Sequence, residues 1–308
     1  MSSPKSPWSV REVLLRYEQV RHRCPQAKFP GASITADRLL DVAKNFRAVL
    51  LDAYGVLKVG NSAIEAGPET VQALAKRGVA IRVVTNGATL TRAALIDQYK
   101  SMGYEFTGRQ FISSRELSKD ALAQYGKSTV WGIAGPSRCE LEELGVAYKQ
   151  LGDERSNYDE VDAFLFLTTY DWTAERQALL RGSLEANPRP IWAANPDLVA
   201  PSEDGFSIEP GAYVHDLIDE LDLPFEFYGK PFANAFERAL EDLREDLPDL
   251  KPEEVLMVGD SLHTDILGGA AAGTKTALIV SHGLFRHDAP GPYIEQFGIV
   301  PDFVVHAT

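Results

Sequence analysis

The sequence predicts an α/β fold: a parallel sheet covered on both faces, with a second α/β domain inserted into it. Three observations carry that expectation. Short apolar runs without polar alternation, such as Ala48–Leu51 and Val255–Val258, read as strands buried on both faces. Amphipathic helical stretches separate these runs, as crossovers between parallel strands require. The alternation then repeats, with its own apolar content, over residues 116–225, between two halves of the outer pattern.

The elements follow in chain order. Residues 1–30 hold a helical patch, Val10 to His22, between Ser/Pro-rich and Pro/Gly-rich stretches, and Leu14, Leu15, Tyr17 and Val20 give it an apolar face. A second amphipathic helix is expected over Thr35–Phe46, through Leu39, Leu40, Val42 and Phe46. Ala48–Leu51 reads as strand, Ile64–Arg77 as helix closed by Gly78, Ala80–Thr85 as strand and Thr91–Met102 as helix. The inserted stretch carries strand signals at Thr129–Ile133, Ala163–Leu167 and Pro190–Ala194, and helices near Leu117–Tyr125 and Glu175–Glu185. The outer pattern resumes with strand Glu226–Tyr228, helix Ala233–Arg244, strand Val255–Val258, helix Ile266–Ala272 and strand Thr276–Val280. The division expected is an N-terminal arm at 1–30, a core at 31–115 and 226–308, and an inserted domain at 116–225.

Composition narrows the function classes. A 308-residue chain with 44% hydrophobic and 24% charged residues can bury a sizeable core. Its net charge of −13 disfavours nonspecific binding to nucleic acid or to an anionic membrane. An anionic substrate therefore needs a locally positive pocket. Cys24 and Cys139 have no metal-ligand or redox spacing and read as free thiols of a reducing compartment. With no signal-like apolar leader and no run long enough to span a bilayer, the expected location is cytoplasmic.

The chemistry concentrates at strand ends. Asp52 closes the run Ala48–Leu51 and opens Asp52-Ala53-Tyr54-Gly55-Val56-Leu57; Asp260 closes Val255–Val258 within Gly259-Asp260-Ser261-Leu262-His263-Thr264-Asp265. Two parallel strands that both end in carboxylates place them side by side where open α/β sheets bind ligands. Such a pair suits magnesium, which takes one or two carboxylates together with phosphate oxygens and water. Two further segments complete the set: Val83-Val84-Thr85-Asn86-Gly87 ends in a hydroxyl and an amide, and Tyr228-Gly229-Lys230-Pro231 precedes a helix. Singly, each has a plain reading as a turn, a cap or a surface lysine. In this order they point to phosphate handling.

These four segments, with the position and size of the insertion, resemble the haloacid dehalogenase superfamily in its class IIA branch of capped, sugar-phosphatase-like hydrolases, over about residues 48–285. The resemblance implies a Rossmann-like core with an inserted C2-type cap, and Mg2+ as cofactor. It implies Asp52 as the nucleophile that forms an aspartyl-phosphate. Asp260 would complete the metal site with Asp52 and the Tyr54 carbonyl, and Asp265 would support it. Thr85 and Asn86 would bind phosphoryl oxygens, and Lys230 would neutralise their charge. In the cap, Asn195-Pro196-Asp197 matches the loop that faces the substrate, although an Asx-type turn is an equal reading. Tyr170, Asp171 and Trp172 could reach the same cleft, but peripheral packing is the favoured expectation. The substrate implied is a small phosphorylated metabolite, with sugar phosphates mildly preferred. A homodimer is compatible with this branch, although no apolar stripe assigns an interface.

Tyr54 departs from the pattern. Phosphatases of the superfamily usually carry an Asp there, which protonates the leaving oxygen and later activates water. A phenol with pKa ~10 donates a proton but is a poor base near neutrality. The penalty to expect is that of lost acid–base catalysis, ~10²–10⁴-fold. A protein that binds phosphate esters but turns them over weakly is therefore the competing expectation. His263 reads as a packing or capping residue, since magnesium prefers oxygen. Gly268 and Gly269 read as sites of close helix–sheet approach.

Overall fold

The structure, a computed structural model, describes residues 3–126, 128–202 and 205–308. Among them, seven parallel strands form one sheet in the order Ile34–Arg38, Phe303–Ala307, Lys275–Ile279, Val255–Gly259, Ala48–Leu51, Ala80–Thr85, Phe111–Ser113. Its central strands are buried at every position, which is why they lack alternation in the sequence. Helices cover both faces. Gly67–Lys76 and Arg92–Ser101 bury Leu74, Leu95 and Tyr99 against one face, while Ala233–Asp246 buries Phe236, Ala239 and Leu243 against the other. Gly268 and Gly269 allow close approach, because an added Cβ would lie 2.4 Å from Phe236 and 2.8 Å from Met257.

A second parallel sheet, ordered Phe225–Phe227, Ile191–Ala193, Ala163–Phe166, Val130–Ala134, Ala147–Gln150, has its own core around Phe164, Phe166, Leu180 and Val214. An antiparallel pair, Val199–Ser202 with Gly205–Ile208, stands apart from both sheets.

Two expectations are corrected. Thr35–Phe46 is not one helix: Ile34–Arg38 is an edge strand paired with Phe303–Ala307, and only Leu39–Ala43 is helical. The strand expected at Glu226–Tyr228 in the outer sheet is Phe225–Phe227, and it pairs with Ile191–Ala193 in the smaller sheet. Both were decided by strand partners far away in sequence.

Candidate active site

Strand register brings the carboxylates together. Leu51 pairs with Val258, so the chain leaves both strands at one edge, and the Asp52 amide continues the ladder by donating to the Val258 carbonyl at 2.8 Å. After Gly259 the chain turns into a one-turn π-helix, Leu262–Ile266. Asp265 holds this turn, its Oδ2 accepting from the Asp260 and Ser261 amides at 3.1 Å each. Gly259 is required there, since a Cβ would lie 2.0 Å from Asp265 Cγ. Asp260 Oδ2 accepts from the Leu284 amide at 2.8 Å. Gly55, at φ +75°, passes so close that a Cβ would sit 2.6 Å from that oxygen.

One oxygen from each of Asp52, Asp260 and Asp265 lies within 4.8 Å of the others, and all three residues are buried. Lys230 Nζ bridges the group by donating to Asp52 Oδ1 and lying 2.8 Å from Asp265 Oδ1. Burial raises the Asp52 carboxyl to about 6 even though the Lys230 ammonium opposes it. Burial and the two neighbouring carboxylates also push Asp260 well up. Desolvation opposes the charge on Lys230, but Asp265 and Asp52 outweigh it and raise its pKa. Burying carboxylates this closely is costly without a cation to share them. The donor set is all oxygen, and Ser261 Oγ beside it is buried without a hydrogen-bond partner among the described residues. The cluster therefore fits a hard divalent cation such as magnesium.

Asn86 braces this centre. Its Oδ1 accepts from the Lys230 amide at 2.7 Å, while its Nδ2 donates to the Lys230 carbonyl and to Asp197 Oδ1 at 2.9 Å each. Thr85 Oγ1 accepts from the Gly87 amide at 3.1 Å. A cavity of about 360 Å³ opens above these groups, and Asp52, Tyr54, Thr85, Asn86, Lys230 and Asp260 line its core side. The inserted domain contributes Asn195, Asp197, Tyr170 and Glu209 to the same cavity. Asp265 lies beneath, in the carboxylate cluster. The structure thus gathers every residue singled out at the strand ends and in the Asn195–Asp197 loop around one centre.

Tyr54 is half-buried at the cavity, with the Lys58 ammonium 4.3 Å from its ring centre. Burial, then the nearby Glu209 charge, raise the phenol, so its hydroxyl stays protonated. Lys58 itself is lowered to about 8 by burial, against the pull of Asp52. Trp172 packs in the core of the inserted domain, as favoured, whereas Tyr170 reaches the cavity. His263 is a packing residue, stacked on Tyr17 at 5.4 Å with Nε2 3.0 Å from Glu18 Oε2.

Three residues near the centre were not singled out for the site: Glu209, Tyr17 and Lys58. Glu209 stands before the helix Pro210–Glu220, and burial raises its carboxyl to about 7. Oε1 accepts from Ser207 Oγ at 2.6 Å and Oε2 from Asn195 Nδ2 at 3.0 Å. A Glu before Pro-Gly marks a helix start in sequence; only the fold turns it toward Asp52.

Strand-end carboxylates, a bridging lysine and a lidded cavity define a capped α/β hydrolase. The chain belongs to the haloacid dehalogenase-like hydrolases. Residues 49–147 match the family model described as haloacid dehalogenase-like hydrolase, and residues 227–306 match a second, HAD-hydrolase-like model. Human glycerol-3-phosphate phosphatase is 26% identical over 88% of this chain and 92% of its own length. The Bacillus subtilis 5'-nucleotidase YutF is 27% identical over 77% of this chain and 88% of its own length. Among solved structures, a possible sugar phosphatase from Cytophaga hutchinsonii superposes with a TM-score of 0.79 at 26% identity, covering 88% of this chain and 97% of that one.

Proposed function

We propose that this chain is a magnesium-dependent phosphomonoesterase acting on a small phosphorylated metabolite, with Asp52 as the attacking carboxylate. The observation that carries this reading is the Asp52–Asp260–Asp265 cluster bridged by Lys230 beneath the cavity. Asp52, Asp260, Asp265 and the Tyr54 carbonyl would hold magnesium, which supplies positive charge against the phosphoryl oxygens. Asp52 bonds to phosphorus as the ester oxygen departs with its electron pair, and water then cleaves the aspartyl-phosphate to inorganic phosphate. Thr85 and the Asn86 amide donate to the phosphoryl oxygens. Lys230, itself buried, balances their charge.

The inserted domain, from about residue 116 through Phe227, acts as the cap that reads the leaving group. Among the described residues, the cavity lining holds four carboxylates (Asp52, Asp197, Glu209, Asp260) and two lysines (Lys5, Lys230). That balance disfavours a second anionic group on the substrate and favours a hydroxylated or amine-bearing leaving group. The names of the relatives, a glycerol phosphate phosphatase and a possible sugar phosphatase, agree with such esters. The protonated Tyr54 phenol serves as a donor to the leaving oxygen. Glu209, which lines the same cavity, is the candidate for the basic work that a phenol performs poorly. The reaction belongs to a reducing, cytoplasmic setting in which Cys24 and Cys139 remain thiols.

One observation favours a second reading, a binding protein with weakened turnover: a phenol whose pKa is raised occupies the acid–base position. Phosphate release with magnesium, measured across aryl, sugar and nucleotide phosphates, separates the two. Turnover that requires both magnesium and Asp52 supports the enzyme. Thermal stabilisation by these esters without turnover supports the binder.

A further inference from the structure

The N-terminal arm joins both parts of the molecule at the cavity. Its first described residues extend the antiparallel pair of the inserted domain: the Ser6 amide donates to the Phe206 carbonyl and the Ile208 amide to the Pro4 carbonyl, at 2.8 Å each. The helix Val10–Val20 then starts from a capping box formed by Ser9 and Glu12. Arg16 donates to Asp216 and Asp219 of the inserted domain at 2.8 and 2.7 Å. Arg21 donates to the Phe297 carbonyl of the core at 2.8 Å.

Tyr17 sits where these contacts converge. It lines the cavity with Asp52, its ring stacks on His263 of the turn that carries Asp260 and Asp265, and its hydroxyl accepts from the Leu198 amide at 3.0 Å. Three side-chain contacts from outside hold the loop Asn195–Leu198. Asn195 donates to Glu209, Asn86 donates to Asp197, and the Leu198 amide donates to Tyr17. The first two bonds join side chains that line the cavity, where an entering ester competes for them. The third fixes the main chain at Leu198, which is fully buried and whose carbonyl also accepts from the Glu209 amide at 3.0 Å.

We propose that the N-terminal arm is a working part of the active site, with Tyr17 the positioning residue that holds Asn195 and Asp197 over the reacting ester. The catalytic half of this statement rests on the phosphomonoesterase reading; the positioning half does not. Tyr17→Phe keeps the ring on His263 but leaves a buried Leu198 N–H without an acceptor, a loss that normally shifts a local equilibrium by roughly tenfold.

The test is amide hydrogen exchange of the whole protein, followed by steady-state kinetics with magnesium on glucose 6-phosphate and p-nitrophenyl phosphate. In Tyr17→Phe, exchange over residues 195–202 is expected to be about tenfold faster, with the smaller sheet unchanged. The KM for glucose 6-phosphate is expected to rise more than kcat falls, and more than the KM for the aryl ester. Unchanged exchange over 195–202 would overturn the proposal. So would a uniform loss of protection with equal loss of kcat on both esters, which marks a merely structural residue. Faster local exchange in a protein whose wild type turns over neither ester supports the positioning role and overturns the phosphatase reading instead.

Discussion

In the proposed reaction Asp52, Tyr54 and Glu209 divide the chemistry among them, and each makes a separable prediction. Asp52→Asn keeps the size and most hydrogen bonding of the side chain but removes the nucleophile; phosphate release should vanish while circular dichroism stays native. Tyr54→Asp restores a carboxylate at the proton-handling position. Turnover should rise on alkyl phosphates, whose leaving groups need a proton, more than on aryl phosphates, by up to ~10²-fold. A loss on both would mean that the phenol is a fitted part of this site. Glu209 predicts a pH effect on stability. Its carboxyl is raised from 4.5 to about 7 by burial, so the folded protein holds this proton more tightly than the unfolded chain. That contribution is complete below pH ~4.5 and disappears as pH rises through about 7. Glu209→Gln, which stays neutral, should lose less stability than wild type between pH 5 and 8, by on the order of 3 kcal/mol in urea denaturation. Among these residues, Asp52 and Tyr54 were legible because they follow an unmistakable buried strand. Glu209 was not, because its place at the cavity depends on a hairpin and a helix start that carry no periodic signal.

Elements show the same division between local and distant information. Ala48–Leu51, Ala80–Thr85 and Val255–Gly259 are strands wherever they are placed, because every residue is apolar or packed on two faces. Ile34–Arg38 carries no such signal, being mostly exposed, and becomes a strand only because Phe303–Ala307 offers it an edge. Phe225–Phe227 was recognisable as a strand but was expected in the wrong sheet, since only its partner decides that. One of the connections between the two sheets is the helix Ser114–Tyr125, which carries Arg115. This guanidinium is fully buried and donates to the carbonyls of Ala88, Cys139 and Glu140, tying a core loop to the inserted domain. Arg115→Ala strands those carbonyls, while Glu143, its ion-pair partner, keeps Lys119 at 2.7 Å. The substitution should destabilise the protein by about 3–5 kcal/mol in chemical denaturation, far beyond an ordinary surface substitution.

At the scale of the whole molecule, the proposed metal site makes stability a readout of cation binding. Magnesium at a hundredfold excess over its dissociation constant should add about 2.7 kcal/mol, seen as a rise of several degrees in the thermal midpoint that EDTA reverses. Asp260→Asn should abolish most of that rise while leaving the fold intact, a result independent of any substrate. The apolar cluster joining the arm to both domains has a different consequence, in the order of synthesis. Val13, Leu14 and Tyr17 are synthesised long before Leu278, Phe297 and Ile299, which complete their cluster. At ~5–20 residues per second, the arm's apolar face must wait tens of seconds for its partners. Until those partners are made, an apolar face that the folded protein buries stays uncovered, and Tyr17 lacks the packing that seats it at the cavity.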